Sequence, residues 1–280
     1  MTLRELIDEV AGRLAAAPLS FGHGTGNPRD EAAWLVLRGL ALPFDAALSG
    51  PVSGDQRERI DTLVQRRLKE RIPVAYLLKE AWLQGVPFYV DERVIVPRSH
   101  IAGLFGEKWL KRPVRRVLDL CTGSGCLAVL AARAYPGAIV DAVDISPGAL
   151  AVARRNVARH RLGRRVHLRR SDLFEALPGA RYGLIVSNPP YVSAAAIGKL
   201  PAEYRHEPRL ALAGGEDGLD LVARIVDAAP RHLAAGGMLV CEVGDGRPAA
   251  ERRFRGLKLA WPKPEVFVYR TPASRAAGAP

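Results

Sequence analysis

The sequence lacks the long apolar runs and the cysteine patterns that mark several classes of protein. None of its apolar runs reaches the roughly 18 residues that a membrane-crossing helix needs. The first residues, MTLRELIDEVAGRL, are charged and amphipathic and contain no signal-peptide core, so we predict a cytoplasmic protein without a membrane partner. Only Cys121, Cys126 and Cys241 are cysteines, and their spacing fits no zinc pattern. We predict no metal site and expect these thiols to pack as small apolar side chains.

Positive charge, by contrast, is plentiful, and most of it comes from arginine. The 41 Lys and Arg exceed the 29 Asp and Glu, which gives a formal net charge of +12, while 48% hydrophobic and 25% charged residues are typical of a globular protein. Eight arginines fall within residues 154–170, RRNVARHRLGRRVHLRR. Such a run is often only a solvated surface, but it also favours phosphate-bearing partners such as RNA. The sequence leaves both interpretations open.

The N-terminal quarter of the chain predicts a helical domain followed by a hairpin. Three helix-start signals occur there, namely the capping boxes Thr2-x-x-Glu5 and Ser53-x-x-Gln56 and the pair Asn27-Pro28. No catalytic constellation accompanies them, so we interpret 1–75 as a small helical domain with a binding role. The pattern then changes to short β-like runs, and we interpret 76–112 as a β-hairpin linker.

From residue 113 onward, β-like and helical patterns alternate. The predicted strands are 114–120, 138–144, 165–170, 182–188, 237–243 and 265–270, and the predicted helices are 126–134, 147–161, 218–234 and 247–254. This alternation predicts an α/β fold over 113–271, a Rossmann-like doubly wound sheet that binds ligands where its parallel strands end. The tail 272–280 is expected to be disordered.

A glycine-rich turn follows the first strand of this sheet. In LDLCTGSGC, Gly123 and Gly125 permit a tight turn before a helix, and with Ala128 they also satisfy a relaxed dinucleotide-binding pattern. Two acids help to distinguish a dinucleotide from other ligands. Asp119 at the strand end would repel a pyrophosphate but suits an ammonium group, and Asp144, which ends the second strand, suits the hydroxyls of a ribose.

A ligand with a ribose, an ammonium group and no phosphate is S-adenosylmethionine. After the third strand, Asp172 is placed to bond the adenine amino group and Leu173 to lie against the ring. This argument predicts Asp119, Gly123, Gly125, Asp144, Asp172 and Leu173 as cofactor-binding residues.

The fourth strand ends in SNPPYV, a stretch in which two prolines fix the backbone and remove two donors. A planar nitrogen is a poor nucleophile, but it accepts a methyl group if acceptors hold its N–H groups and orient its lone pair. We predict that Asn188 supplies a side-chain acceptor and Pro189 a rigid backbone carbonyl. Tyr191 supplies a flat face, and Pro190 completes the substrate-binding set. Asn188, Pro189 and Tyr191 are the predicted catalytic residues.

Asn-Pro-Pro-Tyr after such a turn resembles the amino-methyltransferases, which modify base amines or glutamine amides. The stretches 71–99, 140–156 and 203–225 resemble, more narrowly, the protein-(glutamine-N(5)) methyltransferase family. They are most similar to the branch that acts on large-subunit ribosomal protein three, and less so to the release-factor branch. The resemblance implies a helical substrate domain over 1–75, a class I S-adenosylmethionine-dependent methyltransferase domain, and a glutamine-bearing ribosomal protein as partner. Carried onto this chain, it adds Cys121, Thr122, Ser124 and Asn188 to the predicted cofactor-binding residues. The basic charge makes RNA of a ribosomal precursor a further candidate partner.

Two features depart from that family. An acid usually follows the Pro-Arg that matches Pro97-Arg98, but this chain has Ser99 there and no acid before Glu107. The C-terminal hairpin, LAWPKPEVFVYR, lacks a glycine-rich turn. His100 and His206 are interpreted as incidental.

Three alternatives remain open at this stage. One is methylation of a release factor, and another is methylation of adenine N(6) in nucleic acid, which the basic charge would suit. A target-recognition domain and an aromatic cluster for base stacking are not evident in the sequence. The third alternative is a cofactor-binding, RNA-associated scaffold without catalysis, against which Asn188 and Asp144 argue.

Overall fold

The structure, a computed structural model, describes residues 1–107, 110 and 113–272, and the chain divides into two compact units. The first unit consists of 1–92, 96–98 and 201–207, and the second of the remaining residues. All of the predicted tail 272–280 except Pro272 lies outside the described residues. In the described ranges, no helix is long and apolar enough to cross a membrane.

The first unit contains helices and one antiparallel hairpin. Its elements are α1 (Leu3–Ala15), α2 (Pro28–Gly39), α3 (Gly54–Glu70), α4 (Val74–Leu78), β1 (Ala81–Leu83) and β2 (Val86–Phe88). The predicted caps are confirmed, because Thr2, Asn27 and Ser53 each accept a hydrogen bond from the backbone N–H three residues on. Each such cap stabilises its helix by about 1 kcal/mol.

The first unit also includes a segment that the sequence pattern assigns to the methyltransferase domain. Residues 201–207, which include a short 3-10 helix over Ala202–His206, belong to it, as does the hairpin of the predicted linker. The fully buried Arg67 accounts for the placement of this segment. Its Nε lies 2.7 Å from Glu31 Oε1, and its Nη1 lies 3.0 Å from Glu203 Oε1. Since a buried guanidinium is costly unless paired, this ion pair ties the segment to α2 and α3.

The second unit is built on a seven-stranded sheet in the order β5-β4-β3-β6-β7-β9-β8. Its strands are β3 (Arg116–Leu120), β4 (Ile139–Asp144), β5 (Val166–Arg170), β6 (Tyr182–Ser187), β7 (Leu233–Glu242), β8 (Leu259–Lys263) and β9 (Val266–Arg270). Its helices are α5 (Cys126–Ala134), α6 (Pro147–Arg159), α7 (Ala194–Ile197), α8 (Asp220–His232) and α9 (Arg247–Arg253). Strands β3 to β7 run parallel to one another, β9 runs antiparallel to β7, and β8 runs antiparallel to β9.

The doubly wound α/β sheet is thus confirmed, with most boundaries within two residues of the prediction. The main difference is β7, which begins at Leu233, four residues before its predicted start at 237, and includes Gly236 and Gly237. The C-terminal hairpin is short, and Pro264-Glu265 join β8 to β9 without a glycine.

The strand order reverses at β3. Strands β4 and β5 continue the sheet on one side of β3, and β6 and β7 continue it on the other. Loops that leave neighbouring strands at such a point diverge and open a crevice at the carboxyl edge of the sheet. The fold therefore places a ligand site beyond Leu120 and Ser187, the last residues of β3 and β6.

Candidate active site

A cleft opens at this carboxyl edge, within the second unit. Seven of the thirteen residues predicted from the sequence line it, namely Cys121, Gly123, Asp144, Asp172, Leu173, Asn188 and Pro190. The other six, Asp119, Thr122, Ser124, Gly125, Pro189 and Tyr191, are not among its lining residues. The four loops that follow β3, β4, β5 and β6 therefore meet at one place, as the strand register predicts.

The glycine-rich turn uses its own backbone donors. The Gly123 N–H donates to Asp144 Oδ2 at 2.9 Å, the Gly125 N–H to the Thr122 carbonyl at 2.8 Å, and the Thr122 N–H to the Val143 carbonyl at 3.0 Å. In dinucleotide-binding proteins such N–H groups point at the pyrophosphate. Since three of them are already taken, this turn is poorly suited to hold a phosphate.

The turn also depends on unusual backbone angles. Cys121, Gly123 and Gly125 all have positive φ, at 57°, 53° and 79°. A Cβ on Gly125 would lie only 3.1 Å from Ala153 Cβ on α6, so a glycine is needed there for close helix packing as well. Cys121 is not a glycine, and its left-handed backbone stores strain where its side chain meets the cleft.

Asp119 lies beneath the turn and is completely buried. Its Oδ2 accepts hydrogen bonds from Thr122 Oγ1 at 2.6 Å and from the Ala128 N–H at 2.9 Å, whereas its Oδ1 is buried with no hydrogen-bond partner in the described ranges. Burial raises the pKa of Asp119 to about 7, although both hydrogen bonds lower it. One oxygen of this carboxyl group therefore holds the turn in shape, and the other remains available as an acceptor.

Asp144 faces the cleft from the end of β4. Its Oδ2 accepts from Gly123, and its Oδ1 accepts from the Ser146 N–H at 2.9 Å. These bonds fix the orientation of the carboxylate, and each oxygen keeps a second lone pair for a ligand hydroxyl. Burial raises the pKa of Asp144, and the backbone N–H groups counteract that rise.

Asp172 and Leu173 enter the cleft after β5. Asp172 Oδ2 lies 2.9 Å from Arg224 Nη2, an ion pair that the sequence does not indicate and that occupies one carboxylate oxygen. Leu173 is buried and has a φ of 48°. Hydrogen bonds from Ser171 Oγ to the Leu173 carbonyl and from the Ala176 N–H to Ser171 Oγ hold this loop.

Asn188 carries the most informative atom of the cleft. Its side-chain oxygen, Oδ1, is buried and has no hydrogen-bond partner among the described residues. Leaving a buried acceptor unpaired costs about 1–3 kcal/mol, so such an atom points to a ligand donor. An amide N–H is a donor of the required kind.

Two glycine-rich segments that the sequence analysis did not assign to the site support the Asn-Pro-Pro-Tyr loop. A Cβ on Gly214 would lie 2.7 Å from Tyr191 Cα, and one on Gly244 would lie 2.6 Å from Cε2 of the Tyr191 ring. The loop can pack this closely only because these neighbours lack side chains. The run GGEDG over 214–218 carries the only sequence signal for this role, namely three glycines within five residues.

The residues of the cleft fit S-adenosylmethionine better than a phosphate-bearing nucleotide. The cleft offers the fixed carboxylate of Asp144 for hydroxyl groups and the side chain of Leu173 for an apolar ring. Behind it, Asp119 keeps one unpaired oxygen. Of the two arginines that line the cleft, Arg93 and Arg224, the latter is already paired with Asp172.

Comparison with known proteins agrees with this geometry. Residues 103–202 match the family model described as Methyltransferase small domain. A ribosomal protein uL3 glutamine methyltransferase of Bordetella pertussis is 55% identical over 268 residues, which cover 93% of this chain and 90% of that protein. A protein of the same description from Burkholderia pseudomallei is 48% identical over 275 residues, which cover 93% and 90%.

A solved structure supports the fold. The crystal structure of a methyltransferase from Pyrococcus furiosus superposes with a TM-score of 0.50, at 18% identity, over 68% of this chain and 91% of that one. This similarity bears on the fold alone, whereas the sequence relatives cover nearly the whole chain at high identity. The chain therefore belongs to the ribosomal protein uL3 glutamine methyltransferases, a family of S-adenosylmethionine-dependent enzymes.

Proposed function

We propose that the protein methylates the side-chain amide of a glutamine in ribosomal protein uL3, the substrate in the names of its relatives. The observation that carries this proposal is the unpaired, buried Oδ1 of Asn188 at the edge of the cofactor cleft. A glutamine amide offers two N–H donors in a plane, and it matches a side-chain acceptor that is held rigidly by two following prolines.

In this scheme the protein orients the amide and needs no strong base. Asn188 accepts one N–H, the Pro189 carbonyl accepts the other, and the Tyr191 ring supports the flat face of the amide. When bound, S-adenosylmethionine supplies the methyl group, and the nitrogen that receives it loses one proton to water. Acceptors already aimed at the nitrogen stabilise the positive charge that develops there.

The test is a tritiated-methyl assay with purified uL3, peptide-chain release factor and RNA offered separately, followed by mass spectrometry of the labelled product. We expect label in uL3, with the added mass on a glutamine side chain. Label in the release factor or in adenine, with none in uL3, would overturn the proposal. If none of the three substrates is labelled although the cofactor binds normally, the result would instead favour a scaffold without catalysis.

We further propose that the first unit takes the protein substrate. It holds 13 of the Lys and Arg but 15 of the Asp and Glu, in contrast to the excess of positive charge over the whole chain. A cavity of about 490 Å³ in this unit is lined by Trp34, Phe44, Trp82 and Asp30, among others. Phe44 is 48% exposed, and three aromatic rings beside a carboxylate suit a cationic side chain of a basic ribosomal protein.

A variant of the exposed ring separates docking from catalysis. We expect Phe44→Ala to raise the KM for uL3 about tenfold, the equivalent of about 1.4 kcal/mol, with kcat and cofactor affinity unchanged. Unchanged cofactor affinity serves as the internal control, because Phe44 does not line the cofactor cleft. A KM equal to that of the wild type would contradict docking at this cavity.

RNA of a ribosomal precursor is a second proposed partner, and the second unit is the part suited to it. That unit carries 28 of the Lys and Arg and 14 of the Asp and Glu. Arg154, Arg161, Arg164, Arg169 and Arg170 are exposed on α6, on β5 and between them. Clustered exposed arginines favour phosphate contacts without reading base sequence. Because ribosomal proteins are made in the cytoplasm, we propose that the protein acts there.

A further inference from the structure

Glu242, the last residue of β7, is a buried carboxyl group that the reaction scheme does not use. Only 1% of its surface is exposed, and β7 lies inside the sheet between β6 and β9. A buried carboxylate is costly unless several donors surround it, so the identity of its donors indicates what the group is for.

Glu242 receives donors from two different segments. Its Oε2 accepts from Ser99 Oγ at 2.6 Å and from the His100 N–H at 3.1 Å, while its Oε1 accepts from the Tyr191 hydroxyl at 3.3 Å. The last of these is long, as hydrogen bonds at active sites often are before the substrate is bound. The carboxylate therefore bridges the segment that begins at Ser99 and the Asn-Pro-Pro-Tyr loop.

This bridge clarifies a departure seen in the sequence. The family usually has an acid shortly after Pro-Arg, where this chain has Ser99. In the structure Ser99 is itself buried and donates to an acid, which comes from β7 instead. In this chain the acid beside Ser99 is thus Glu242, which lies 143 residues further along the sequence.

The surroundings of Tyr191 leave its hydroxyl as the point of control. Gly214 and Gly244 allow close packing against the backbone and one edge of the ring. Glu242 accepts from the hydroxyl, and it is a rigid partner because its other oxygen accepts two hydrogen bonds.

We propose that Glu242 is a positioning residue for methyl transfer, which fixes the Tyr191 ring through its hydroxyl and so sets the plane on which the substrate amide lies. This inference rests on the proposed function. Burial raises the pKa of Glu242, and the hydrogen bond from Ser99 and the charge and N–H of His100 lower it. The groups that face the carboxylate are Ser99, His100 and Tyr191, and the His100 imidazole is in turn 3.9 Å from Glu265. The carboxylate form, which accepts from all three groups, is the active one.

The first test is a double-mutant cycle on single-turnover transfer to uL3. We expect Glu242→Gln and Tyr191→Phe each to lower the single-turnover rate constant of methyl transfer about tenfold, with cofactor affinity unchanged. The double variant should be no slower than the slower single variant, because both changes disrupt the same contact, between Tyr191 and Glu242. Glu251→Gln, in an exposed pair with Arg247, is the matched control and should behave as the wild type. Losses that multiply in the double variant would overturn the proposal.

The second test is a pH profile, which a merely structural role would not move. Activity should fall as the pH drops through the pKa of Glu242, because protonation removes an acceptor. Ser99→Ala deletes a donor to the carboxylate and raises that pKa, so the acid limb should begin at higher pH. An acid limb in Ser99→Ala identical to that of the wild type would overturn the proposal, and this test stands even if Glu242→Gln fails to fold. A wild-type protein that does not methylate uL3 at all would refute the proposed function instead.

Discussion

At the scale of single residues, the site is defined by acceptors that the protein leaves unpaired. Asn188 Oδ1 and Asp119 Oδ1 are both buried without a partner in the part of the chain that the structure describes, although the neighbouring Thr122, Gly123 and Gly125 groups are satisfied internally. Unpaired buried acceptors destabilise a fold, and their cost is recovered only when a ligand donates to them. Asn188 lines the cleft, so its unpaired oxygen is better explained by function than by folding, while Asp119 lies behind the cleft.

We expect Asn188→Ala to lower kcat by about 10²–10³, because one preorganised acceptor is lost. Its melting temperature should not fall, since the oxygen that is removed makes no hydrogen bond in the free protein. Asn27→Ala is the matched control, because Asn27 Oδ1 caps α2 at 2.9 Å from the Asp30 N–H. That variant should lose about 1 kcal/mol of stability and keep its activity. Single-turnover transfer and thermal unfolding of both variants decide the matter, and near wild-type transfer by Asn188→Ala would show that the loop is only a turn.

The sequence was informative about which residues meet, but less so about how each is used. The order of Gly123, Gly125, Asp144 and Asn188 along alternating strands is enough to bring them to one edge, because parallel strands end together. Their hydrogen bonds depend on side-chain geometry that no spacing encodes. The turn donors are consumed internally, and Asp172 is paired with Arg224 across 52 residues. The roles assigned to Asp119, Asp144 and Asp172 stay predictions.

At the scale of elements, sequence signals predicted the features that depend only on neighbouring residues. Caps at Thr2, Asn27 and Ser53 and the start of α5 at Cys126 follow from a few neighbouring residues. The segment 201–207 could not be placed from the sequence, because its partners Arg67 and Arg98 are more than 100 residues away.

His23 lies beside this segment, within the first unit. Its ring is buried, 4.5 Å from the Tyr204 ring between centroids, and its Nε2 lies 3.8 Å from Glu207 Oε1. Burial lowers the pKa of His23 to about 4, even though the negative charge of Glu207 raises it. The neutral ring therefore belongs to the folded state.

The stability of the fold should accordingly decline in acid. The contribution of His23 is fully present above its unfolded pKa of about 6.5 and is lost as the pH falls towards the folded value. Between pH 7.5 and pH 5, the loss of this contribution should lower the free energy of unfolding by roughly 2 kcal/mol. Urea titrations should show a smaller decline for His23→Gln and an unchanged one for the control His206→Gln, whose Nε2 lies 2.8 Å from the Glu70 carbonyl oxygen. Equal declines in all three proteins would rule out His23 as the source.

At the scale of the whole molecule, charge is divided unevenly along the chain. The first unit has 13 basic against 15 acidic residues and the second 28 against 14, so the first carries a formal charge of −2 and the second +14. Arginine is about equally frequent in the two units, at 11 of 102 and 23 of 178 residues, so the division comes mainly from the acids, which are fewer in the second unit for its size. The division suits a protein substrate for one unit and a polyanion for the other.

The arginines around α6 allow that division to be tested. We expect Arg154, Arg161 and Arg164, changed together to Gln, to weaken binding of a structured RNA hairpin and to reduce the slope of log K against log salt concentration by about 2 to 3, the counterion release of three phosphate contacts. Methyl transfer to free uL3 should be unaffected, because these side chains do not line the cleft. Changing the exposed Arg4, Arg59 and Arg205 of the first unit to Gln removes the same charge and should leave the slope unchanged. Salt titrations by fluorescence anisotropy distinguish the outcomes. Equal slopes in the two triple variants would mean that net charge alone attracts RNA, and that residues 154–170 are only a solvated surface.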